Sequence, residues 1–392
     1  MRRFLSFALL LFPLSVYTQV AVPAQEHTCV ASERTLAADV TYRQLCRSTP
    51  QGEPWSIHVL RVKRNSKAHI RAVAARNESG QMVRERPTVL ANRETAQGKK
   101  VIAVVNGDYD FTTPGNMGVS IGLSVVDGHI WTGANGKWPV IALAKNGEPV
   151  IGLPKFDVRV RAGHAKFQLA NMNKPLGRPE AGLLLTSEFR SQLTTGIPVQ
   201  SFVVGRLSVT GPLPIDREIA GRVTSLNDAR TDTLVPRDAL TVVLPKDTTL
   251  AKIRRNDRVK VKITATVEGR PVHHAIGGFP VLVRDGKRSV EGEPGENLRK
   301  RHPRTAVCYN QQEVIFTVVD GRQPKLSVGM NLEELADLMV ELGCQVAMNT
   351  DGGGSSVMAI AGDSNAKSVQ IVNSPSDGRE RGRGNAFVIE AD

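Results

Sequence analysis

The sequence lacks several motifs that would identify a familiar enzyme class. Its 392 residues contain neither a Walker A phosphate loop nor an H-E-x-x-H pair, which argues against a P-loop nucleotidase and a zincin-type protease. No Cys-x-x-Cys spacing occurs among the four cysteines, which argues against a zinc ribbon and a thioredoxin-type redox site. Internal repeats and low-complexity tracts are missing as well. The function therefore has to be inferred from less standard patterns.

Aromatic residues are scarce, at 5% of the chain, and none are interleaved with the basic runs. A base-stacking surface for nucleic acid needs such interleaving. The chain is nevertheless basic, with 51 Lys and Arg against 38 Asp and Glu and a net charge of +13. A protein with this charge favours anionic partners. Phosphorylated glycans and anionic lipid surfaces therefore fit the composition better than nucleic acid does.

Long hydrophobic runs are missing except at the N-terminus. Met1-Arg2-Arg3 precedes an apolar run from about residue 4 to 16, the layout of a secretory signal peptide. The run is too short to span a bilayer. Small residues before Gln25 predict a signal peptide over residues 1–24. We therefore expect a secreted or periplasmic protein with no stable membrane anchor after signal removal.

The four cysteines permit two disulfides in an exported chain, with three possible connectivities. Cys29 and Cys46 are the local choice for one pair. Cys308 and Cys344 lie in apolar segments, where a disulfide and a buried pair of free thiols are equally compatible with the sequence.

The middle of the chain has little helical periodicity. Between residues 155 and 272, short Val, Leu, Ile and Thr runs are broken by Pro and Gly, as in "GIPVQSFVVGRLSV" and "RVKVKITATV". This pattern predicts a β-rich module inserted into the rest of the fold. Residues 25–84 are predicted to be an N-terminal region containing β-strands. A helix is predicted over residues 88–97, with Thr88 as its cap.

Two Asp-Gly pairs and one histidine pair have ordinary interpretations. Asp127-Gly128 and Asp285-Gly286 lie between apolar runs and predict hairpin turns. His273-His274 could ligate a metal, but adjacent side chains in a strand point to opposite faces. We therefore expect these histidines to be structural.

The richest stretch is residues 314–358, "VIFTVVDGRQPKLSVGMNLEELADLMVELGCQVAMNTDGGGSSVM". An apolar strand ends at Asp320, and a helix follows with Asn331 as its cap, Glu334 completing a capping box and Gly343 at its end. A second strand ends just before Asp351. Strand, helix and strand predict a βαβ crossover with both acidic turns at one sheet edge. The predicted fold class is α+β, a mixed-sheet core containing this crossover, with the β-rich module inserted.

Three consecutive glycines follow Asp351. They remove every Cβ from the loop, which is useful where backbone must approach a ligand closely. Carboxylates and guanidinium groups occur on this and neighbouring Gly-rich turns. Carboxylates beside arginines suit cleavage of a phosphorylated or glycosidic bond. The candidate side chains are Asp108, Asp320, Asp351, Arg304, Arg322 and Arg381.

The order of several segments resembles the phosphodiester glycosidase family. These segments are "NGDYDF", "AIGGFPVLVRDG", "HPRTAVCYN", "VVDGRQPKLSVGMNLEELADLM", "NTDGGGSSVM" and "NSPSDGRERGRGNAFVI". The resemblance places such a domain over residues 85–392. It implies hydrolysis of a sugar-1-phosphodiester, which releases the sugar and leaves a phosphomonoester. It also implies a phosphorylated glycan or sugar-phosphodiester as the partner.

The resemblance can be carried onto individual residues. Asp351 is predicted to be the central catalytic carboxylate, with Asp320 as its partner or a metal ligand, Asp108 as a third acid and His302 orienting the site. The predicted substrate-binding residues are Asn106, Gly107, Gly277, Gly278, Arg304, Thr305, Arg322, Asn349, Gly352, Gly353, Ser355, Asn373, Asp377, Arg381 and Asn385. No metal is assigned. Ca²⁺ stays open, because the acids and nearby amides offer the oxygen ligands it takes.

Two classes of function stay open from the sequence. The first is an exported hydrolase that cleaves the glycosyl-phosphate bond of a phosphorylated glycan or cell-envelope polymer. The second is a non-catalytic glycan-binding or envelope-assembly protein on the same scaffold, because a fold alone does not fix a function. The acids and arginines on the Gly-rich turns favour the enzyme.

Overall fold

The computed structural model describes residues 28–175, 182–190, 192–248, 250–362 and 367–392. The predicted signal peptide, residues 1–24, lies outside the described residues. In the described part of the chain, no helix is both long and apolar enough to cross a membrane.

Strands dominate the described chain and three helices accompany them. The helices are α1 (Pro87–Ala96), α2 (Glu296–Arg299) and α3 (Leu332–Glu341). The strands are β1 (Ser32–Ala37), β2 (Val40–Ser48), β3 (Pro54–Lys63), β4 (His69–Ala74), β5 (Val101–Asn106), β6 (Ser124–Val126), β7 (His129–Thr132), β8 (Val140–Leu143), β9 (Pro149–Gly152), β10 (Pro154–Ala162), β11 (Ala165–Leu169), β12 (Asn171–Met172), β13 (Leu183–Thr186), β14 (Gln192–Gly205), β15 (Leu213–Pro214), β16 (Glu218–Leu234), β17 (Leu240–Pro245), β18 (Arg258–Val267), β19 (Arg270–Pro271), β20 (His274–Gly277), β21 (Val281–Arg284), β22 (Lys287–Arg288), β23 (Arg304–Tyr309), β24 (Glu313–Val319), β25 (Val346–Asn349), β26 (Met358–Ala361), β27 (Val369–Ile371) and β28 (Asn385–Glu390).

Two sheets pack face to face and a helix covers each outer face. The first sheet has the order β1-β2-β3-β24-β23-β25-β21-β22, and the second has the order β27-β26-β5-β28-β4. Side chains from both sheets, such as Leu60, Phe316 and Phe387, form the core between them. Helix α3 packs on the outer face of the first sheet, and α1 packs on that of the second. The core therefore has four layers, helix on sheet on sheet on helix.

Period-two alternation explains how one strand serves two layers. In β3, Ile57 and Val59 face α3, whereas Leu60 and Val62 face the other sheet. Strand β24 divides Ile315 and Phe316 between the same two layers. Neighbouring side chains of a strand point to opposite faces, so a strand buried on both faces is apolar throughout.

The predicted crossover is present as an order of elements but not as an adjacent parallel pair. Strands β24 and β25 both pair antiparallel with β23, so they run in the same direction with β23 between them. Every pair in that sheet is antiparallel. Strands make up 48% of the chain and helices 8%, so the α+β prediction is confirmed only coarsely, as a β-rich fold.

The middle region forms its own sheet. Nine strands, from β10 to β19 with β15 left out, build this sheet, whose strands lie between Pro154 and Pro271. Its apolar face packs against a six-stranded sheet, β15-β7-β6-β20-β8-β9, which links it to the core. The N-terminal strands do not stand apart, because β3 pairs with β24 and β4 pairs with β28.

Some local sequence signals predict the observed structure correctly, and one does not. Asn331 and Glu334 form the predicted capping box of α3, and Gly343 follows its end with φ of 87°. Both predicted Asp-Gly hairpins are present, with positive φ at Asp127 and Asp285. The predicted cap of α1 is wrong.

Helix α1 begins one residue earlier than predicted, at Pro87. Arg86 holds the cap position without a side-chain hydrogen bond. The carboxylate of Glu380 accepts from the backbone N–H of Thr88 at 3.1 Å and from its hydroxyl. A distant carboxylate thus replaces the local cap.

Two disulfides join the four cysteines. Cys29 pairs with Cys46, and Cys308 pairs with Cys344, each with 5.7 Å between the Cα atoms. The second bond ties β23 to the segment that leads into β25.

Candidate functional site

Asp351 lies at the start of the loop that follows β25. Its side chain is buried, with 7% of the residue exposed. The backbone N–H of Gly352 and the hydroxyl of Ser355 hydrogen-bond to the carboxylate. Its Oδ2 has no hydrogen-bond partner among the described residues. A buried acceptor without a partner is costly and marks a position where a ligand group can bind.

Arg383 supplies the positive charge beside this carboxylate. Its Nη1 lies 3.1 Å from Oδ2 of Asp351 but donates to Oδ1 of Asp110 at 2.6 Å. The ion pair is therefore close, whereas the aligned N–H belongs to Asp110. Arg84 and the backbone N–H of Gly118 occupy the other oxygen of Asp110. Asp110 thus holds the arginine in place and leaves Asp351 free to act.

Burial sets the protonation of Asp351. It raises the pKa of this carboxyl to about 6, although the charge of Arg383 and the bond from Ser355 pull the pKa down. The group therefore changes charge near neutral pH, as a carboxyl with an acid or base role does. At pH 7 most of the molecules carry an ionised Asp351.

Asp108 is the second acid of the site. Its Oδ2 accepts from the backbone N–H of Gly122 at 2.7 Å, and its Oδ1 accepts from Trp138 Nε1 at 3.1 Å. Burial raises the pKa of Asp108, and the negative charge of Asp351 adds to that shift. A Cβ atom at Gly277 would lie 2.5 Å from this carboxylate, so only glycine fits there.

Lys174 reaches the same turn from the β-rich module. Its buried Nζ donates to the backbone carbonyls of Ile121 and Gly122, each at 2.8 Å, and also to that of Ser120. Burial lowers the pKa of Lys174, and the negative charge of Asp108 opposes this shift. The lysine thus fixes the turn whose N–H bonds to Asp108.

Two exposed arginines pack on the loop Gly352-Gly353-Gly354 that follows Asp351, which we call the glycine loop. A Cβ atom at Gly353 would lie 3.1 Å from Arg322 Nη2, and one at Gly354 would lie 2.6 Å from the guanidinium carbon of Arg381. Arg381 is ion-paired with Asp377, four residues earlier. Arginine side chains therefore pack directly on the loop, and Gly353 has φ of 62°, in the left-handed region that favours glycine.

Arg322 and His302 are neighbours at this surface. Arg322 Nη2 lies 3.3 Å from His302 Nδ1. Arg322 has φ of 61°, in the left-handed region that few non-glycine residues adopt. Such strain is often retained where a side chain must point at a ligand.

The predicted asparagines and Thr305 connect the strands around the site. Asn106 Nδ2 donates to the carbonyl of Asp351 at 2.6 Å, and Thr305 Oγ1 donates to Asn106 Oδ1 at 2.9 Å. Asn385 Oδ1 accepts from the N–H of Asp108 at 2.8 Å. These side chains hold the backbone on which the two acids sit. Close packing also explains Gly107 and Gly278, where a Cβ atom would meet Asn385 and the carbonyl of Asn349.

Asp320 belongs to a separate network. Its Oδ2 accepts from His58 Nε2 at 2.9 Å, and its Oδ1 accepts from Asn373 Nδ2 at 3.0 Å and Ser374 N at 2.8 Å. Asn373 also donates to the carbonyl of Ser356 at 3.1 Å. Asp320 therefore acts on the glycine loop through Asn373, and its own oxygens are occupied.

Arg304 is buried rather than directed to solvent. Its Nε donates to the carbonyl of Met330 at 2.8 Å, and its Nη2 donates to those of Leu298 and Lys300 at 2.7 and 2.6 Å. The two bonds from Nη2 anchor the loop that contains α2, and the bond from Nε holds the residue before Asn331.

The oxygen donors around Asp351 do not fit a calcium ion. Both oxygens of Asp108, Asp110 and Asp320 are occupied by protein donors. The buried oxygens near Asp351 that lack a hydrogen-bond partner among the described residues are Oδ2 of Asp351, Oδ1 of Asn349 and Oγ of Ser356. Ca²⁺ takes six to eight oxygens, and Arg383 already places a positive charge there.

The histidine pair does not point to opposite faces. His273 precedes β20, and the rings of His273 and His274 lie 4.8 Å apart beside Asp127. His274 Nδ1 accepts from the N–H of Asp127 at 3.2 Å, which places the ring proton on Nε2, 3.5 Å from the Asp127 carboxylate. Asp127, His273 and His274 offer ligand atoms within 4.8 Å of one another, so the opposite-face argument against a metal at this pair is wrong.

Sequence reasoning missed several residues of this site. Asp110 and Arg383 lie inside the motifs "NGDYDF" and "NSPSDGRERGRGNAFVI", so their signal was present. Lys174 and Trp138 lie outside any motif, and no sequence pattern nominates them. Gly118-Val119-Ser120-Ile121-Gly122 matches the spacing of a serine-hydrolase elbow, but Ser120 is buried, bonds to Asn385 and precedes no helix.

One family model matches part of the chain. Residues 217–390 match the family model of phosphodiester glycosidases, which confirms the predicted resemblance for this part of the chain. The matched part contains Asp320, Asp351 and the glycine loop. A comparison with curated proteins gives no match.

Three solved structures are similar to this chain. A hypothetical protein from Synechocystis has a TM-score of 0.72 and 16% identity, covering 93% of this chain and 64% of its own. A protein from Burkholderia pseudomallei has a TM-score of 0.65 and 19% identity, covering 86% of this chain and 74% of its own. Its description is that of an exported protein. The catalytic domain of zebrafish N-acetylglucosamine-1-phosphodiester alpha-N-acetylglucosaminidase, auto-inhibited by its pro-peptide, has a TM-score of 0.46 and 15% identity, covering 93% and 89%. The first two share the fold, and this chain spans 64% of the Synechocystis protein's length.

Proposed function

We propose that this protein hydrolyses the bond between a sugar and a phosphodiester, and that Asp351 is the central carboxylate. The observation that carries the proposal is the buried Oδ2 of Asp351, which lies 3.1 Å from Arg383 Nη1 but has no hydrogen-bond partner among the described residues. Asp351 lies within the matched part of the chain. Exposed guanidinium groups on the same loop, from Arg322 and Arg381, supply donors for phosphate oxygens. The carboxylate thus complements the sugar of a glycosyl phosphodiester, and the guanidinium groups complement its phosphate.

The reaction follows from these groups. The bond from the anomeric carbon to the phosphate oxygen breaks, and its electron pair leaves with the phosphomonoester. The oxygen of water bonds to the anomeric carbon, and its proton passes to the ionised Asp351. Because a phosphate leaves as a stabilised anion, it needs little proton donation. Asp351 therefore acts mainly on the water and on the positive charge that develops on the sugar.

Asp108 and Asp320 have supporting roles in this proposal. Asp108 accepts hydrogen bonds from the backbone N–H of Gly122 and from Trp138 Nε1, so in this proposal it fixes the positions of both. Asp320 holds the glycine loop through Asn373, and His302 orients Arg322.

Export is part of the same proposal. Two disulfides fit an oxidising compartment, and the structurally similar Burkholderia protein is described as exported. We propose that the substrate is a phosphorylated glycan or cell-envelope polymer outside the cytoplasm. The test is incubation with UDP-linked and p-nitrophenyl-phosphate-linked sugars, with detection of free sugar. Release by the wild type and loss in Asp351→Asn support the proposal.

A further inference from the structure

Three of the chain's few aromatic side chains form one wall beside the candidate site. The rings of Trp138 and Phe279 stack with centroids 5.1 Å apart and 19° between their planes. Tyr109 meets Trp138 edge-on, at 5.5 Å and 86°. All three are partly exposed. We call this set the aromatic wall.

The aromatic wall is bonded to candidate site residues on both sides. Trp138 Nε1 donates to Asp108 Oδ1 at 3.1 Å. Asn349 Nδ2 donates to the hydroxyl of Tyr109 at 2.9 Å and to the carbonyl of Phe279 at 2.8 Å. A Cβ atom at Gly122 would lie 2.8 Å from the Trp138 ring, so glycine lets the indole approach the Asp108 turn.

One polar atom at the aromatic wall has nothing to bind. Asn349 is fully buried, and its Oδ1 has no hydrogen-bond partner among the described residues. Leaving such an acceptor unpaired costs about 1–3 kcal/mol, so a structural role alone gives a poor account of it. A hydroxyl donor brought by a ligand would satisfy this oxygen.

We propose that the aromatic wall binds the sugar of the substrate, with a C–H face against Trp138 and Phe279 and a hydroxyl donating to Asn349 Oδ1. The face of an aromatic ring is electron-rich and attracts the weakly positive C–H groups of a pyranose. The phosphate is then held by Arg322 and Arg381, which pack on the glycine loop. This inference rests on the proposed function and adds the orientation of the substrate.

The wall predicts that sugar and phosphate affinities can be lowered separately. Phe279→Leu keeps an apolar side chain of similar volume but removes the flat ring. It should weaken binding of free monosaccharides roughly three- to tenfold and leave inorganic phosphate unchanged. Arg322→Lys should weaken phosphate and leave the monosaccharides unchanged. Phe167→Leu, on a partly buried ring of the β-rich module, is the matched control and should change neither.

Equilibrium titration by tryptophan fluorescence measures these affinities without turnover, using glucose, galactose, mannose and inorganic phosphate as probes. Sugar affinity that is equal in Phe279→Leu and wild type would overturn the wall. An equal loss of sugar affinity in Arg322→Lys and Phe279→Leu would overturn the proposed orientation. If the wild type binds sugar through Phe279 but releases none from any phosphodiester, the hydrolase proposal fails and the wall stands.

Discussion

Asp351 combines burial, a neighbouring arginine and an oxygen without a partner. Burial raises the pKa of this carboxyl to about 6 in the folded protein, above its ordinary value of 3.8. The folded protein therefore binds the proton more tightly than the unfolded chain does. The contribution of this group to stability is fully present below pH 3.8 and is lost as pH rises through about 6.

This sign leads to a stability prediction for Asp351→Asn. The amide is never ionised, so the variant should match the wild type near pH 4 and exceed it at pH 7.5. The gain should be at most about 3 kcal/mol, because each pKa unit corresponds to about 1.4 kcal/mol. Urea unfolding at the two pH values measures it. A variant that is less stable than the wild type at pH 7.5 would contradict the assigned burial of an ionised carboxyl.

A second prediction at this scale concerns catalysis and pH. Because the ionised form of Asp351 accepts the proton of water, kcat/KM should rise as pH passes through about 6. Initial rates between pH 4.5 and 8 measure this limb. Activity that falls through the same interval would show that Asp351 works as a proton donor instead.

Arg304 and Arg322 give contrasting predictions. Lysine at position 304 cannot reach three carbonyls, so Arg304→Lys should lose roughly 1–3 kcal/mol of stability. Arg322 is exposed, and Arg322→Lys should change stability by less than about 0.5 kcal/mol while weakening phosphodiester binding. Thermal unfolding and KM values distinguish the two. An Arg304→Lys protein with unchanged stability and a raised KM would make Arg304 a substrate ligand.

At the scale of elements, the Cys308–Cys344 bond joins β23 to the approach of β25, the strand that leads to Asp351. Replacing both cysteines with alanine should cost about 2–4 kcal/mol, because the bond closes a long loop. Activity per folded molecule should be retained, since neither sulfur faces the site. The matched control is the double alanine variant at Cys29 and Cys46, which removes a disulfide that closes a shorter loop. A Cys308/Cys344 double alanine variant that is as stable as the wild type would show that this disulfide does not stabilise the fold.

The elements also show which sequence signals can be trusted. Helix α3 was predictable because its cap, capping box and apolar face all lie within about a dozen residues. The position of β23 between β24 and β25 was not, because strand order depends on pairing across the whole sheet. The prediction of the α1 cap was wrong for the same reason, because Glu380 lies 292 residues from Thr88.

At the scale of the molecule, the site collects groups from distant parts of the chain. Asp108 follows the end of β5, the central strand of the second sheet. Lys174 comes from the β-rich module, and Asp351 lies at the start of the glycine loop. The motifs identified the first and third because Gly-rich turns are recognisable in sequence. Lys174 and Trp138 were not identifiable, because their roles arise only from tertiary packing.

The donor geometry around Asp351 also gives a prediction for the whole protein. Few carboxylate and amide oxygens are unpaired there, and Arg383 places a positive charge beside Asp351, which disfavours a calcium ion. Dialysis against EDTA should therefore leave the hydrolysis rate unchanged, with the same protein dialysed against buffer as the control. A loss of activity that Ca²⁺ restores and Mg²⁺ does not would require a calcium site at these turns.

The most direct test of the central claim is release of free sugar from a glycosyl phosphodiester by three proteins. These are the wild type, Asp351→Asn and Asp337→Asn, the last on an exposed aspartate of α3 that pairs with Arg288. Each is assayed at pH 7 after its folding has been checked by thermal unfolding. The account predicts equal release by the wild type and Asp337→Asn, and a loss of at least about a hundredfold in Asp351→Asn. Wild-type release by a folded Asp351→Asn protein would contradict it.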